Sequence, residues 1–556
     1  MNNPIIIKKG LKVGELDAEA DKDLLGACFI NNGQFDAIVD VLSPASIILG
    51  RTGSGKSAFL FEASVSVEHS TLLDPNDISI RFLEHSNIIQ FFNEIGVKLD
   101  LFYRILWRHI LTIELLKLRY DLRNESENKT FLNRIHGWVQ RKTIKKKALE
   151  YFSEWGDKFW LETDEQLREL TRKFTNDVRA NLGAKYKNVD ISLQGAKELS
   201  EESRTEIKSL ATQVVSRIQI KRLNEVLDLL TEFAFNDPQK RYYILIDQLD
   251  EDWAETTTRC RFIRALIEET RSMRRIPQVK IITALRRDLL DLVFDKTRDS
   301  GFQEEKYEAY IVRLTWSKED LKNLLNTRVS EVYRRQYTSE NVNFSDIFPA
   351  AEKHGSGPAI DFLIDRTLLR PRDAIQFANE CFSIAADRPK ISWRAIFAAE
   401  ANYSNKRLQS LKEEWSEYYP ALGNTIETIR GLQTPFTRSS ISSDRITEIS
   451  TELHDLDVND PCVRISKDLY RAGKGISEAE FVSQILMCLY HVGAIGIKIS
   501  SLDTYIWSNI DQPRVSKSEI KRANHIKVHK MLQHALEIKE ENITKPFSGR
   551  AKGARR

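Results

Sequence analysis

The sequence predicts an α/β fold: a parallel sheet carrying a glycine-rich loop, a large helical insertion, a further helical segment and a C-terminal module of helix and hairpin. Three observations predict it. Apolar runs that read as buried strands recur at "ASIIL" (45–49), "YYILI" (242–246) and "VKIITA" (279–284). The first passes through three glycines directly into a helical pattern, the order of a parallel strand–loop–helix unit. Between the first and second runs lies a long stretch whose apolar residues recur at helical spacing.

The bulk numbers set the frame. The 556 residues allow three to four domains at ~150 residues each, and 41% hydrophobic content supports a sizeable core. With 83 basic and 80 acidic residues the net charge is +3, which does not mark an obligate nucleic-acid binder. Cys28, Cys260, Cys381, Cys462 and Cys488 form no CxxC pair, so neither a disulfide framework nor a cysteine zinc site is expected. The opening "MNNPIIIKKGLKVGEL" is too short in apolar residues for a signal peptide. No stretch reaches the ~20 apolar residues that span a bilayer. The expectation is a soluble, reduced, cytoplasmic protein without membrane contact.

"SIILGRTGSGKSAFL" fits GxxxxGK[ST] at Gly50, Gly55, Lys56 and Ser57. The glycines let backbone N–H groups converge on one concavity, where phosphate oxygens can sit. The helix that starts there adds its positive end. Lys56 supplies a charge for the β- and γ-phosphates, and the Ser57 hydroxyl is the expected magnesium ligand. The predicted nucleotide-binding set is Gly50, Arg51, Thr52, Gly53, Ser54, Gly55, Lys56, Ser57 and Ala58. The strand, loop and helix together predict a P-loop NTPase core.

Hydrolysis needs an acidic partner, and "YYILIDQLDEDW" supplies one on a neighbouring strand. Asp247 ends the apolar run and is placed to hold Mg²⁺ with Ser57. Asp250 and Glu251 follow within a turn. One of them orients or deprotonates the attacking water, and the Asp-x-x-Asp order favours Asp250. The third strand exits at Arg286 and Arg287, where a guanidinium can sense phosphate or neutralise transition-state charge; arginines solvating a helix start read equally well. No NKxD or TKxD motif follows, which favours ATP over GTP. No LSGGQ signature is present, since "SLQGAKEL" is only a faint echo.

The stretches "AEADKDLLGACFINNGQFDAIVD", "ILGRTGSGKSA", "GVKLDLFYRILWRHILTIELL", "YILIDQLDEDW", "ITALRRDLLDLVFDKTRD", "VRLTWSKEDLKNLL" and "LLRPRDAIQFANE" together resemble a bacterial P-loop ATPase family. That family is related to the KAP and STAND NTPases of the AAA+-like group. The resemblance spans roughly residues 10–120 and 235–420. It implies an ATPase core, a helical lid, a winged-helix-like C-terminal domain and oligomerisation, with several relatives in bacterial defence. It also implies roles for Arg286 after the sensor strand and for Arg372 of "RPRD" in the lid, with Arg370 as the alternative. Gln248 departs from the paired Asp-Glu of many such proteins, so the catalytic carboxylate must come from further along.

The remaining segments are read as follows. "LFYRILWRHILTIELLKLRY" predicts an amphipathic core helix, and "SLATQVVSRIQIKRLNEVLDLLTEF" another long helix. The basic run Arg141–Lys147 reads more readily as a solvated helix face than as a nucleic-acid contact. Ser317 and Asp320 predict a capped helix, and Pro371 a helix start. "PFTRSSISSDRITEIS" predicts a polar boundary. "EAEFVSQILMCLYHVGAIGIKI" predicts a helix, a glycine turn and a strand, with "TYIWSN" as the returning strand. His525 and His529 share a helical face at i, i+4, but no third ligand accompanies them. The tail 544–556 is basic and predicted disordered.

These readings give a core over 1–98 and 238–316, a helical insertion over 99–237, a lid over 317–418, and a winged-helix-like domain over 419–543. The expected function is a Mg²⁺-dependent ATPase switch coupled to a protein effector and working as a homo-oligomer, in bacterial anti-phage defence. Two further readings are a nucleotide-gated scaffold with little hydrolysis and a nucleic-acid-stimulated ATPase.

Overall fold

The computed structural model describes residues 6–540 except 75–85, 98, 123, 125, 134–145, 156–157, 159–160, 162, 182–189, 215–219, 251–255, 299–303, 337–341, 351–356, 472–474, 501 and 512–513. The chain forms two compact units, Asn31–Thr315 and the combination of Met1–Ile30 with Trp316–Arg556.

Asn31–Thr315 is mixed α/β. Its sheet has five strands: β1 (Ile47–Gly50), β2 (Ser70–Leu73), β3 (Tyr242–Ile246), β4 (Val279–Arg286) and β5 (Ile311–Arg313). All pair in parallel, in the order β2-β3-β4-β1-β5. The central strands β1 and β3 are buried at every position. A strand covered on both faces has no solvent side to carry polar residues, which is why these read as unbroken apolar runs. The parallel crossovers are made through helices, among them α1 (Lys56–Ser66), α2 (Asp100–Tyr120), α3 (Thr256–Met273) and α4 (Arg287–Lys296).

The helix expected to be amphipathic, α2, has no such polar face. It is buried at Phe102, Tyr103 and every position from Ile105 to Leu116. Its arginines are accommodated by charge: Arg104 and Arg108 donate to the two carboxylate oxygens of fully buried Glu269 on α3, at 2.8 and 2.6 Å. The Trp107 indole N–H donates to the Phe262 carbonyl at 2.9 Å. The insertion therefore shares one hydrophobic core with the sheet. Of the long helix expected near its end, the described residues form helices over Glu201–Val214 and Ile220–Phe233, and residues 215–219 lie outside the described residues.

The second unit is mainly helical. It includes α5 (Lys318–Gln336), α6 (Pro371–Ile384), α7 (Trp393–Glu414), α8 (Ser443–His454) and α9 (Glu478–His491). Its hairpin is β6 (Ile495–Lys498) against β7 (His525–Val528), antiparallel with Ile495 opposite Val528. The cap expected ahead of α5 is present: the Ser317 N–H donates to the Asp320 carboxylate and the Asp320 N–H to the Ser317 hydroxyl. Pro371 opens α6, as expected.

Three expectations are corrected here. The first thirty residues were placed with the core, but Ile7, Leu11 and Val13 join the hydrophobic cluster of the helical unit. Buried Asp21 also accepts from Arg328 of α5 at 2.6 Å, a long-range pair that no local pattern encodes. The returning strand is β7, not "TYIWSN", which contributes only a bridge from Ile506 to Ile497. The polar "boundary" contains the start of α8, capped by Ser442, with Ile446, Ile449 and Leu453 buried. Among the described residues no helix is long and apolar enough to cross a membrane.

Candidate functional site

The site is built at the carboxyl end of the sheet. β1 ends at Gly50, and after five intervening residues α1 begins at Lys56. Sterics dictate this loop's glycines. Gly53 and Gly55 take φ of +76° and +94°, a region in which a side chain is strained. At Gly50 a Cβ would stand 2.2 Å from the Ser54 hydroxyl oxygen, so the loop can fold back only over a hydrogen. Gly55 is the N-cap of α1 and offers no side-chain acceptor. The first N–H groups of an eleven-residue helix therefore face the concavity with their positive dipole end.

Lys56 is buried at 9% exposure, and its ammonium donates to the Arg51 carbonyl at 3.3 Å. Burial pulls its pKa down, while Asp250 and Asp247 oppose that shift. Asp247 follows β3. Burial raises its pKa, and the Ser57 hydroxyl, the Gln248 backbone N–H and the charge of Lys56 oppose that shift. Gln248 takes a left-handed φ of +59°. The next residue, Leu249, is fully buried and anchors the turn.

The expected neighbouring-strand arrangement needs one correction. β3 is not next to β1; β4 lies between them. Asp247 meets Ser57 across the end of that intervening strand. Arg286, the last residue of β4, pairs in register with Gly50. Its guanidinium is held by both carboxylate oxygens of Asp288 and lies 3.8 Å from Asp250. Lys56, Ser57, Asp247, Asp250 and Arg286 thus form one charged cluster. Asp288 completes it; the sequence reading missed this residue, although "RRDLL" places an acid two positions after Arg286.

The donor set fits a divalent cation beside a polyphosphate. A desolvated carboxylate and a hydroxyl beside it are two hard oxygen ligands, and the amides and ammonium alongside suit phosphate oxygens.

Other predicted residues fall elsewhere. Glu251 lies outside the described residues, as do the tail and residues 141–145 of the basic run. Arg372 sits in the first turn of α6, in the helical unit, and donates to the Leu16 carbonyl at 3.0 Å. Its alternative, Arg370, is a structural residue, buried between Asp373 and Glu414 at 3.0 Å each. The histidine pair does not share a helix: His525 opens β7, and His529 caps the following turn by accepting from the Met531 N–H. Among the described residues no group of histidine, cysteine or carboxylate side chains has a metal-binding arrangement of three or more.

A family described as the FunZ-associated C-terminal helical domain matches residues 319–412, the stretch from α5 almost to the end of α7. The comparison with curated proteins returns no match.

Proposed function

We propose that the chain is a Mg²⁺-dependent P-loop ATPase that works as a switch. The observation that carries this reading is the meeting of the Ser57 hydroxyl and the Asp247 carboxylate beside the Lys56 ammonium, at the carboxyl end of the sheet. Ser57 and Asp247 would hold Mg²⁺, which when bound supplies charge neutralisation on the phosphate oxygens. The α1 N-terminus and Lys56 bind and orient the triphosphate. Asp250 accepts a proton from the attacking water once Arg286 turns from it toward the γ-phosphate. That movement is the switch, and it couples nucleotide state to a protein effector or a second copy of the chain. The C-terminal helix and hairpin serve as a winged-helix-like packing module. The setting we propose, anti-phage defence, rests on the family resemblance.

Phosphate release from ATP by the purified chain tests the reading. Mg²⁺ should be required, so chelation with EDTA should stop release, and Lys56→Ala or Asp247→Ala should abolish it. Turnover unchanged in both variants overturns the proposal.

A second reading, a nucleotide-gated scaffold with little hydrolysis, is favoured by the 3.8 Å approach of Arg286 to Asp250 and by Gln248 in place of a second carboxylate. Under it, Asp250→Ala leaves ATP-dependent assembly intact by mass photometry, and loss of assembly in that variant rejects it.

A further inference from the structure

Two exposed surfaces of the helical unit combine apolar side chains with opposite charge. The first lies at the start of α7. Trp393, Phe397 and Phe362 pack their rings together, with centroids 5.4 to 5.7 Å apart. Phe362 is buried beneath, Trp393 is half-buried, and Phe397 is 43% exposed. The chain around them is basic. Arg388, Lys390 and Arg394 are exposed and have no ion-pair partner among the described residues; Asp387 is the one carboxylate of residues 387–394. Arg394 stands three positions before Phe397 on α7, which makes the two neighbours on the helix surface. Nearby carboxylates are already held: Glu400 accepts from Arg366 at 2.5 Å, and Asp361 pairs with Lys322 at 3.0 Å.

The second surface is the end of α8 and the turn after it. Glu448, Glu452, Asp455 and Asp457 are exposed, and residues 448–459 contain no lysine or arginine. Arg445 and Lys467 lie 3.7 and 3.8 Å from Glu448 and Asp457. Val458 and Tyr470 stand exposed beside these carboxylates, at 39% and 49%. The Tyr470 hydroxyl shares a hydrogen bond with the Ser450 hydroxyl at 2.7 Å, and its ring meets His454 edge-on. The two surfaces are far apart in the unit. α7 has 22 residues, roughly 33 Å at about 1.5 Å per residue. The aromatic surface is at its first turn. The acidic surface is tied to the chain beyond its last turn, where the Ala421 N–H donates to Asp460 at 3.0 Å. Surfaces at opposite ends of so long a helix do not cover one another within one chain.

We infer that they meet between chains: the Trp393–Phe397 surface of one copy seats on the Val458–Tyr470 surface of a second copy, joining the two head to tail. Charge selects this occupant. The aromatic surface turned on its own counterpart sets Arg388, Lys390 and Arg394 against the same three cations, which is repulsive. Turned on the acidic surface, they meet Glu452, Asp455 and Asp457 while the exposed rings bury one another. Aromatic and arginine side chains are the usual anchors of such contacts. The ring cluster suits apolar side chains better than stacked bases, because Phe362 is edge-on to both neighbours and the Arg366 guanidinium lies over its face at 3.3 Å. A contact between two different surfaces leaves one of each unfilled in a dimer, so further copies add until the array closes or extends. The pairing does not rest on the nucleotide reading, since the loop at Gly50–Ser57 belongs to the other unit.

Sedimentation velocity of the full chain at micromolar concentrations, with and without Mg²⁺-ATP, tests the inference. The parent is expected to associate in at least one of the two conditions. Phe397→Ser and Tyr470→Ser each remove one anchor from an exposed position, and each should raise the Kd of association at least about tenfold. Each variant keeps the surface that the other has lost. An equimolar mixture should therefore give a dimer of one Phe397→Ser chain and one Tyr470→Ser chain, with the parent's affinity and no larger species. That recovery also shows that both variants are folded. A parent that stays monomeric in both conditions overturns the inference and leaves the cationic surface to a separate acidic protein. Association that neither variant weakens, or variants that do not pair when mixed, overturns it as well.

Discussion

Two buried lysines sit at opposite ends of the same parallel sheet. Lys56 follows the carboxyl end of β1, and Lys280 lies at the amino end of β4. Their exposures are 9% and 3%, and burial pulls both pKa values down. Their surroundings differ. The Lys280 ammonium donates to two carbonyls, of Asp40 and Ser43, each at 2.8 Å. Lys56 has one longer bond, to the Arg51 carbonyl, and is otherwise balanced by the charges of Asp247 and Asp250. A lysine tied to fixed carbonyls joins loops to a strand. A lysine balanced by carboxylates can exchange them for an incoming anion and metal. Burial alone does not mark function; the end of the sheet and the kind of partner do, since ligands bind beyond the carboxyl ends of parallel strands.

The largest test of this contrast is the pair Lys56→Met and Lys280→Met. The first should lower ATP turnover by at least ~10²-fold, as expected when a charge aimed at the reacting phosphate is removed. The second should leave turnover at its starting level. Steady-state phosphate release on both variants decides the matter; equal losses would mean that the two ends of the sheet are not distinct.

A smaller effect is expected at Asp288, which holds the Arg286 guanidinium and, under the proposed function, would compete with phosphate for it. Asp288→Asn weakens that hold without opening a cavity. Arg286 then engages the γ-phosphate more readily, and the affinity for ATP relative to ADP should rise about three- to tenfold, roughly 1 kcal/mol. Competition binding with a fluorescent nucleotide measures the ratio. An unchanged ratio would make Asp288 a purely structural partner. A network of the same residue types in the helical unit provides a control. Arg370, Asp373, Glu414 and Arg407 are exposed by less than a tenth, and substitution there should reduce folding stability without moving that ratio.

The loop was legible because backbone geometry forces its residues. Left-handed φ at Gly53 and Gly55 and the close approach of Ser54 to Gly50 favour glycine, so the spacing in the sequence records the shape directly. The strands were legible because both faces are covered, which turns β3 into five consecutive buried residues. Neighbour order was not legible. That β4 separates β1 from β3 is set by helix packing and crossover direction, and no residue of "VKIITA" announces its neighbours. Nor was the Asp21–Arg328 pair, which joins residues 307 positions apart. His525 and His529 misled for the opposite reason. A four-residue strand is too short to display its period, so a helical spacing arose by coincidence.

The smallest effect belongs to Lys280 and is one of slope. Burial pushes its pKa down to about 8 from the usual 10.5. Between those values the unfolded chain holds a proton there that the folded chain has released, so stability rises as pH climbs through this window. Below about pH 8 the buried ammonium costs stability by an amount on the order of 3 kcal/mol, and by the top of the window that cost is gone. Lys280→Met removes the titration. It also leaves the Asp40 and Ser43 carbonyls without their donor, but that loss is the same at every pH and cannot imitate the slope. Urea denaturation of both chains from pH 7 to 10.5 should therefore show the parent gaining stability relative to the variant across the window. Parallel curves would mean that the ammonium is held without cost by its two carbonyls, and the contrast with Lys56 would then rest on geometry alone.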